Sequence, residues 1–191
     1  MTKICRKTLI ALGSNKNSSW GDRAETVQKA MQEVEKLSLS PSKQSALYAT
    51  PAFPAGAGAD FVNAAIVIST DLPPSEILAA LHEIEANADR VRRTRWGQRT
   101  LDIDLIGCAA EVLPDPATFA QWRDLPLTDQ MATAPDRLIL PHPRLQDRAF
   151  VLVPLVEVAP DWRHPVSGLT VVEMLAELPA KDRQEVVRLN P

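Results

Sequence analysis

The sequence predicts an α/β (α+β) domain of the ferredoxin-like, split βαβ kind, an antiparallel sheet with helices packed on one face. Three observations predict it. Thr8–Leu12 and Phe61–Thr70 have the length and composition of buried strands, and Leu101–Leu105 alternates apolar residues with Asp102 and Asp104. Two stretches of helical spacing with start signals fall between strand runs. The resulting order of strand, helix, strand, strand, helix, strand is that of the split βαβ unit.

Each element has a local reason. The first strand, Thr8–Leu12, stops at Gly13-Ser14-Asn15, which reads as a turn. Asp22 with Glu25 forms a capping box, and Ala24, Val27, Ala30, Met31, Val34 and Leu37 follow at helical spacing, with Pro41 beyond. Gln44–Thr50 is expected as one strand. The Gly, Ala and Pro content of 51–60 makes a mobile loop before the strand Phe61–Thr70. Pro73-Pro74-Ser75 opens a second helix with an inner face of Ile77, Leu78, Leu81 and Ile84, and with His82, Glu85 and Asp89 on another face. An arginine-rich loop leads to the Asp102–Asp104 strand. The stretch 112–137 is an excursion with one short helix from Asp115-Pro116, packed on the rest. Phe150–Val158 is expected as a short helix with Pro154 in its first turn, Thr170 with Glu173 caps another through Leu178, and Glu185–Leu189 is an edge strand.

Composition narrows the function. The chain has 191 residues, expected as a single domain spanning 1–191, and a formal net charge of −3. That charge argues against a nucleic-acid-gripping protein. Two cysteines, Cys5 and Cys108, make neither a disulfide framework nor a zinc site and suit a reducing cytoplasm. The apolar run Leu9–Leu12 is too short for a signal-peptide core or a membrane span.

The chemistry concentrates around residue 100. Asp102 and Asp104 share a strand face, roughly 6–7 Å apart from a rise of about 3.3 Å per residue. Carboxylates so placed suit hard divalent cations. Arg90, Arg92, Arg93, Arg95 and Arg99 lie just upstream. Acid pair and arginines together can hold a metal-bound polyphosphate, although a solvated strand face beside a basic loop would carry the same letters. The chain lacks the Walker pattern and the kinase signature set. His142, between two prolines and followed by Arg144 and Arg148, can donate to phosphate. Phe53, Phe61, Phe150 and Asn63 are candidates for a flat heterocycle, rings for stacking and an amide for the edge. Two rivals share these features: a metal-dependent nucleotidyl transferase of the same fold, and a non-catalytic RNA-binding module.

Several segments together resemble one family. They are Ala-Leu-Gly-Ser-Asn at 11–15, Tyr-Ala-Thr-Pro at 48–51, Phe-Val-Asn-Ala-Ala at 61–65, Arg-Val-Arg at 90–92, Arg-Trp-Gly-Gln-Arg-Thr-Leu-Asp-Ile-Asp at 95–104, and Leu-Pro-His-Pro-Arg at 140–144, with Arg148 and Phe150. The chain resembles the 6-hydroxymethyl-7,8-dihydropterin pyrophosphokinases of folate biosynthesis from about Leu9 to Pro160. The resemblance implies transfer of pyrophosphate from ATP, the co-substrate, to the pterin hydroxymethyl group, releasing AMP. It implies two Mg²⁺ ions on Asp102 and Asp104, and phosphate handling by Arg90, Arg92 and Arg99. Thr50, Pro51, Phe53, Phe61, Asn63, Trp96 and Phe150 match the pterin pocket. His82, Glu85, Arg92, Arg99, His142 and Arg148 match the ATP site. The expected partners are small molecules only, with neither nucleic acid nor membrane, and the expected state is a cytoplasmic monomer. The chain departs from the family pattern in three places. His82 stands where many members have glutamine, Ala52 replaces a second proline, and the excursion at 112–137 is longer than usual.

Overall fold

The computed structural model describes residues 5–52, 59–90 and 99–190. Residues 53–58 and 91–98, with Phe53, Arg92, Arg93, Arg95 and Trp96 and most of both expected loops, lie outside the described residues.

β1 (Arg6–Ser14), β4 (Phe61–Thr70) and β5 (Asp102–Cys108) form the centre of an antiparallel sheet, with β3 (Tyr48–Thr50) and β6 (Val187–Arg188) continuing it in the order β5-β1-β4-β3-β6. β2 (Lys43–Gln44) also pairs with β4. The expected strand Gln44–Thr50 is thus two segments. The Gln44↔Ile66 register slips by one residue before Tyr48↔Asn63, and Ser45 bridges the slip: its Oγ accepts Ala65 N–H at 2.9 Å.

α1 (Arg23–Glu35) starts with both halves of the expected capping box, Glu25 N to Asp22 at 2.9 Å and Asp22 N to Glu25 at 2.8 Å. Gly21, at φ 124°, precedes it, where a Cβ would collide with the Glu25 carboxylate. α2 (Pro74–Asn87) opens on proline at its first position. These two helices cover one face, where Val27, Met31, Val34, Ile77, Leu81 and Ile84 pack on Ile10, Ile66, Ile68, Ile103 and Leu105. This is the expected ferredoxin-like core.

The C-terminal segment adds a layer to the other face. α5 (Ala149–Val158) and α6 (Val171–Glu177) pack Val151, Leu152, Leu155, Val171 and Met174 on Leu9, Ala11, Ala65, Val67 and Ile106. Pro154 lies inside α5 rather than in its first turn, because the helix already begins at Ala149. Its missing N–H removes one rung, which burial of the apolar side chains around it outweighs. α7 (Ala180–Gln184) leads to β6, which edges the sheet as expected, with Leu189 N bonded to Leu47 O at 2.8 Å.

The excursion holds two short helices rather than one, α3 (Pro116–Arg123) and α4 (Leu127–Ala132), and the bridge Leu113↔Leu140 closes its base. Fully buried Phe119 anchors it, its ring 5.7 Å from that of His164. His164 in turn lies 6.0 Å from Trp162, whose indole faces Gly107 at the far end of β5 from Asp102. Phe119→Ala should therefore cost about 3–5 kcal/mol of stability, read as a lowered urea midpoint, with turnover per folded molecule unchanged.

His164 also makes stability pH-dependent. Burial, with Arg123 nearby, lowers its pKa from 6.5 to about 4. Between these values the unfolded chain binds the proton and the folded one does not, so stability should fall as pH drops through that window. His142, lowered to about 3, acts in the same direction, whereas Asp104, raised to about 6, acts against both. Urea unfolding at pH 7 and pH 5 should show a smaller drop in His164→Asn than in wild type. An equal drop would show that His164 does not titrate in this window.

Candidate active site

The ladders place the candidate residues on the sheet face that carries α5, at the end α5 leaves open. Gly13 pairs with Asn63 on one side and with Asp102 on the other, and Ala11 pairs with Ala65 and Asp104. Directly opposed residues of antiparallel strands share a face, so Asp102 and Asn63 flank Gly13 roughly two strand spacings apart, about 10 Å. The floor between them has no side chain. A Cβ on Gly13 would come within 2.9 Å of Asn63 Oδ1 and 3.7 Å of Phe61 Cδ1. Buried Asn63 donates to Thr50 Oγ1 at 2.7 Å. Pro51 is exposed beside Thr50. Phe150, 39% exposed in the first turn of α5, lies beneath the Arg148 guanidinium at 5.7 Å.

On the acidic side, arginines converge on Asp102. Arg90 Nη1 donates to Asp102 Oδ1, to Leu101 O at 2.6 Å and to Glu85 Oε1 at 2.8 Å, and Arg99 Nη1 donates to Asp102 Oδ2. Helix geometry delivers Arg90. α2 ends with Arg90 N bonded to Glu85 O and Asp89 N bonded to Ala86 O, both at 3.1 Å, around Asp89 at φ 59°. The chain turns back so that Arg90 meets the helix it has just left. His82 and Asp89 are exposed, whereas Glu85, beside His82 in one cleft, is 2% exposed. Its Oε1 also accepts Ile103 N–H at 2.8 Å, between the two aspartates. His82, Glu85, Ala86 and Arg90 line a cleft of about 270 Å³.

The two aspartates are driven apart electrostatically. Burial pushes Asp102 up, but Arg99 and Arg90 outweigh it and hold the carboxyl below its ordinary range. Asp104 is pushed up to about 6 by burial and by the charge of Asp102, with Arg148 and Arg99 opposing. Arg148 reaches Asp104 only at 3.5 Å. His142 is fixed to β5 through His142 N to Ile106 O at 2.8 Å. Burial first, then Arg148, lowers its pKa to about 3, so the ring is neutral. Its Nδ1 accepts Arg144 N–H at 3.1 Å, which leaves the proton on Nε2 as a donor.

These residues suit an anionic, metal-bound ligand. Buried Arg90 Nε has no hydrogen-bond partner among the described residues, and a phosphate oxygen would satisfy it. No cluster of three or more His, Cys, Asp or Glu side chains that could hold a metal occurs among the described residues. Two carboxylates suit Mg²⁺, which keeps water and substrate phosphates in its shell, although both Asp102 oxygens here accept from Arg90 and Arg99. Sequence reasoning missed Asn15. Taken as part of a turn, it is 5% exposed, and its side chain accepts Arg99 N–H at 2.8 Å. Its amide directly after a strand was the available signal.

Comparison with known proteins places the chain in a family. The family model "7,8-dihydro-6-hydroxymethylpterin-pyrophosphokinase (HPPK)" matches residues 9–160. Curated 2-amino-4-hydroxy-6-hydroxymethyldihydropteridine pyrophosphokinases are similar over nearly the whole chain. That of Methylorubrum extorquens is 36% identical over 90% of this chain and 93% of its own. That of Pseudomonas aeruginosa is 35% identical over 92% and 94%, and that of Synechocystis is 33% identical over 91% and 77%. Among solved structures, the HPPK-DHPS of Plasmodium falciparum with pteroate superposes with a TM-score of 0.62 at 13% identity, covering 92% of this chain and 43% of that longer one, which supports the fold alone. The chain therefore belongs to the hydroxymethyldihydropterin pyrophosphokinase family, enzymes of folate biosynthesis that transfer pyrophosphate from ATP to 6-hydroxymethyl-7,8-dihydropterin.

Proposed function

We propose that the transfer takes place over Gly13, with the pterin on the Asn63 side and the ATP phosphates on the Asp102 side. The observation that carries this reading is the single row Asp102–Gly13–Asn63, with arginines gathered at its acidic end. Asp102 and Asp104 would hold two Mg²⁺ ions, which when bound neutralise phosphate charge and polarise the phosphorus under attack. Arg90, Arg92 and Arg99 bear on the phosphates, joined by Arg148 and by the Nε2 donor of His142. His82 and Glu85, at the cleft beside Arg90, face the nucleoside end. Thr50, Pro51, Phe61 and Phe150 would surround the pterin, whose edge Asn63 reads, and the family resemblance assigns Phe53 and Trp96, outside the described residues, to the same pocket.

The chemistry asked of the chain is placement. The pterin hydroxyl attacks the β-phosphorus in line, the bond from that phosphorus to the α-phosphate oxygen breaks, and AMP leaves. We further propose that residues 1–191 act as one domain, a cytoplasmic monomer that binds neither nucleic acid nor membrane. In support, the net charge is −3, and no helix among the described residues is long and apolar enough to cross a membrane.

Product analysis tests the reading. With ATP, Mg²⁺ and hydroxymethyldihydropterin, AMP and pterin pyrophosphate should accumulate together, and chelation should stop both. Release of pyrophosphate instead of AMP would favour nucleotidyl transfer. Turnover that survives chelation would remove the metal pair.

A further inference from the structure

We propose that Asn15 is a positioning residue for this reaction, its amide setting the place of Arg99 and, through Arg99, of the Asp102 carboxylate. The proposal rests on the reading of Arg99 and Asp102 given above.

The argument starts from register. The β1–β5 ladder ends at Gly13↔Asp102. Continued unchanged, it would set Asn15 opposite Thr100. Asn15 instead meets Arg99, one residue further on, and its side chain takes up the mismatch. Asn15 N donates to Arg99 O at 3.1 Å, and Asn15 Oδ1 accepts Arg99 N–H at 2.8 Å in place of a ladder carbonyl. Both peptide groups flanking the Arg99 Cα are held, three residues before Asp102. From there Arg99 Nη1 reaches Asp102 Oδ2. Ser14 Oγ, bonded to Lys16 O at 3.1 Å, turns the chain away after the clasp.

The clasp is not needed to hold the sheet. β1 and β5 already pair from Thr8 to Gly13, and Asn15 belongs to neither hydrophobic cluster. Its loss is felt where the ladder has ended, at the guanidinium that orients Asp102. Burying an amide there is unfavourable unless its partners are in place, which makes the clasp specific for asparagine or a close acceptor.

The test compares three variants in steady state. Asn15→Ala should lower kcat about 10- to 100-fold, as expected of a misplacement near 1 Å, while the KM for ATP changes less than about threefold. Asn15→Asp, which keeps an acceptor oxygen in reach of Arg99 N, should recover most of kcat. In an Arg99→Ala background, Asn15→Ala should cause no further loss, since the two act as one unit. Should Asn15→Ala fail to fold, Asn15→Ser, too short to reach Arg99 N, takes its place. An Asp variant as impaired as the Ala variant would overturn the proposal, and so would losses that multiply in the double variant. Full turnover in Arg99→Ala itself would instead remove the role of Arg99, and the clasp with it. A deficient Arg99→Ala beside an unaffected Asn15→Ala would overturn the clasp alone.

Discussion

Asp102→Ala and Asp104→Ala should each lower kcat/KM by on the order of 10³-fold or more, because each removes one of the two hard oxygen ligands proposed for the metal. Stability should separate the two positions. Asp102 is the common partner of Arg90 and Arg99, and removing it leaves two guanidiniums facing each other in a partly buried site. Asp102→Ala should therefore destabilise the ligand-free protein by roughly 1–3 kcal/mol, below the full cost of breaking a buried pair because the side chains are partly exposed. Asp104 is the opposite case. Its folded pKa, about 6, lies above the ordinary 3.8, so the ionised carboxylate works against folding at neutral pH. Asp104→Asn should stabilise the ligand-free protein above pH 6 by roughly 1 kcal/mol, discounted because the side chain is 35% exposed. The gain should disappear as pH falls below about 4, where the unfolded carboxyl is also protonated. Urea unfolding across this range, beside turnover assays, reads both effects. Near wild-type turnover in either variant would end the metal assignment. A stability gain in Asp104→Asn that is the same at pH 4 and pH 8 would end the electrostatic account.

Asn63→Ala should weaken pterin binding by roughly 10- to 100-fold and nucleotide binding by less than about threefold. A buried heterocycle edge left without partners costs about 1–3 kcal/mol, and the effect stays on the pterin side of Gly13. The Asn63 amide is held ready by its bond to Thr50 Oγ1, so Thr50→Val should produce a smaller loss of the same kind. Gly13→Ala should imitate it from below, because the added methyl would meet Asn63 Oδ1 at 2.9 Å and displace an amide that the Thr50 bond holds. Calorimetry with pterin and with a non-hydrolysable ATP analogue separates the two sites. Equal losses for both ligands in Asn63→Ala would place the amide outside a pterin pocket.

Legibility followed the range of the interaction. The capping boxes at Asp22–Glu25 and Thr170–Glu173 close over three residues, and the alternation of Leu101, Ile103 and Leu105 with Asp102 and Asp104 is a property of one strand. Such patterns determine helix starts, the split βαβ order and the shared face of the two carboxylates before any packing is known. The motifs around Asp102 and His142 went further and identified the family.

Tertiary structure decided what depends on distant partners. Pro154 reads locally as a helix start, but the second face of the sheet gives α5 enough apolar contact to carry a proline in its interior. Ser45 breaks a strand because Ala65 lies opposite it, and the excursion docks because Phe119 finds His164 across the fold. Glu85, off the apolar face of its helix, is buried because Ile103 N and Arg90 converge on one of its oxygens. Asn15 reads as a turn residue and becomes a clasp only when β5 brings Arg99 beside it, 84 residues away in the chain. Periodicity and capping record free energies that neighbouring residues settle among themselves, whereas these contacts exist only after the sheet has closed.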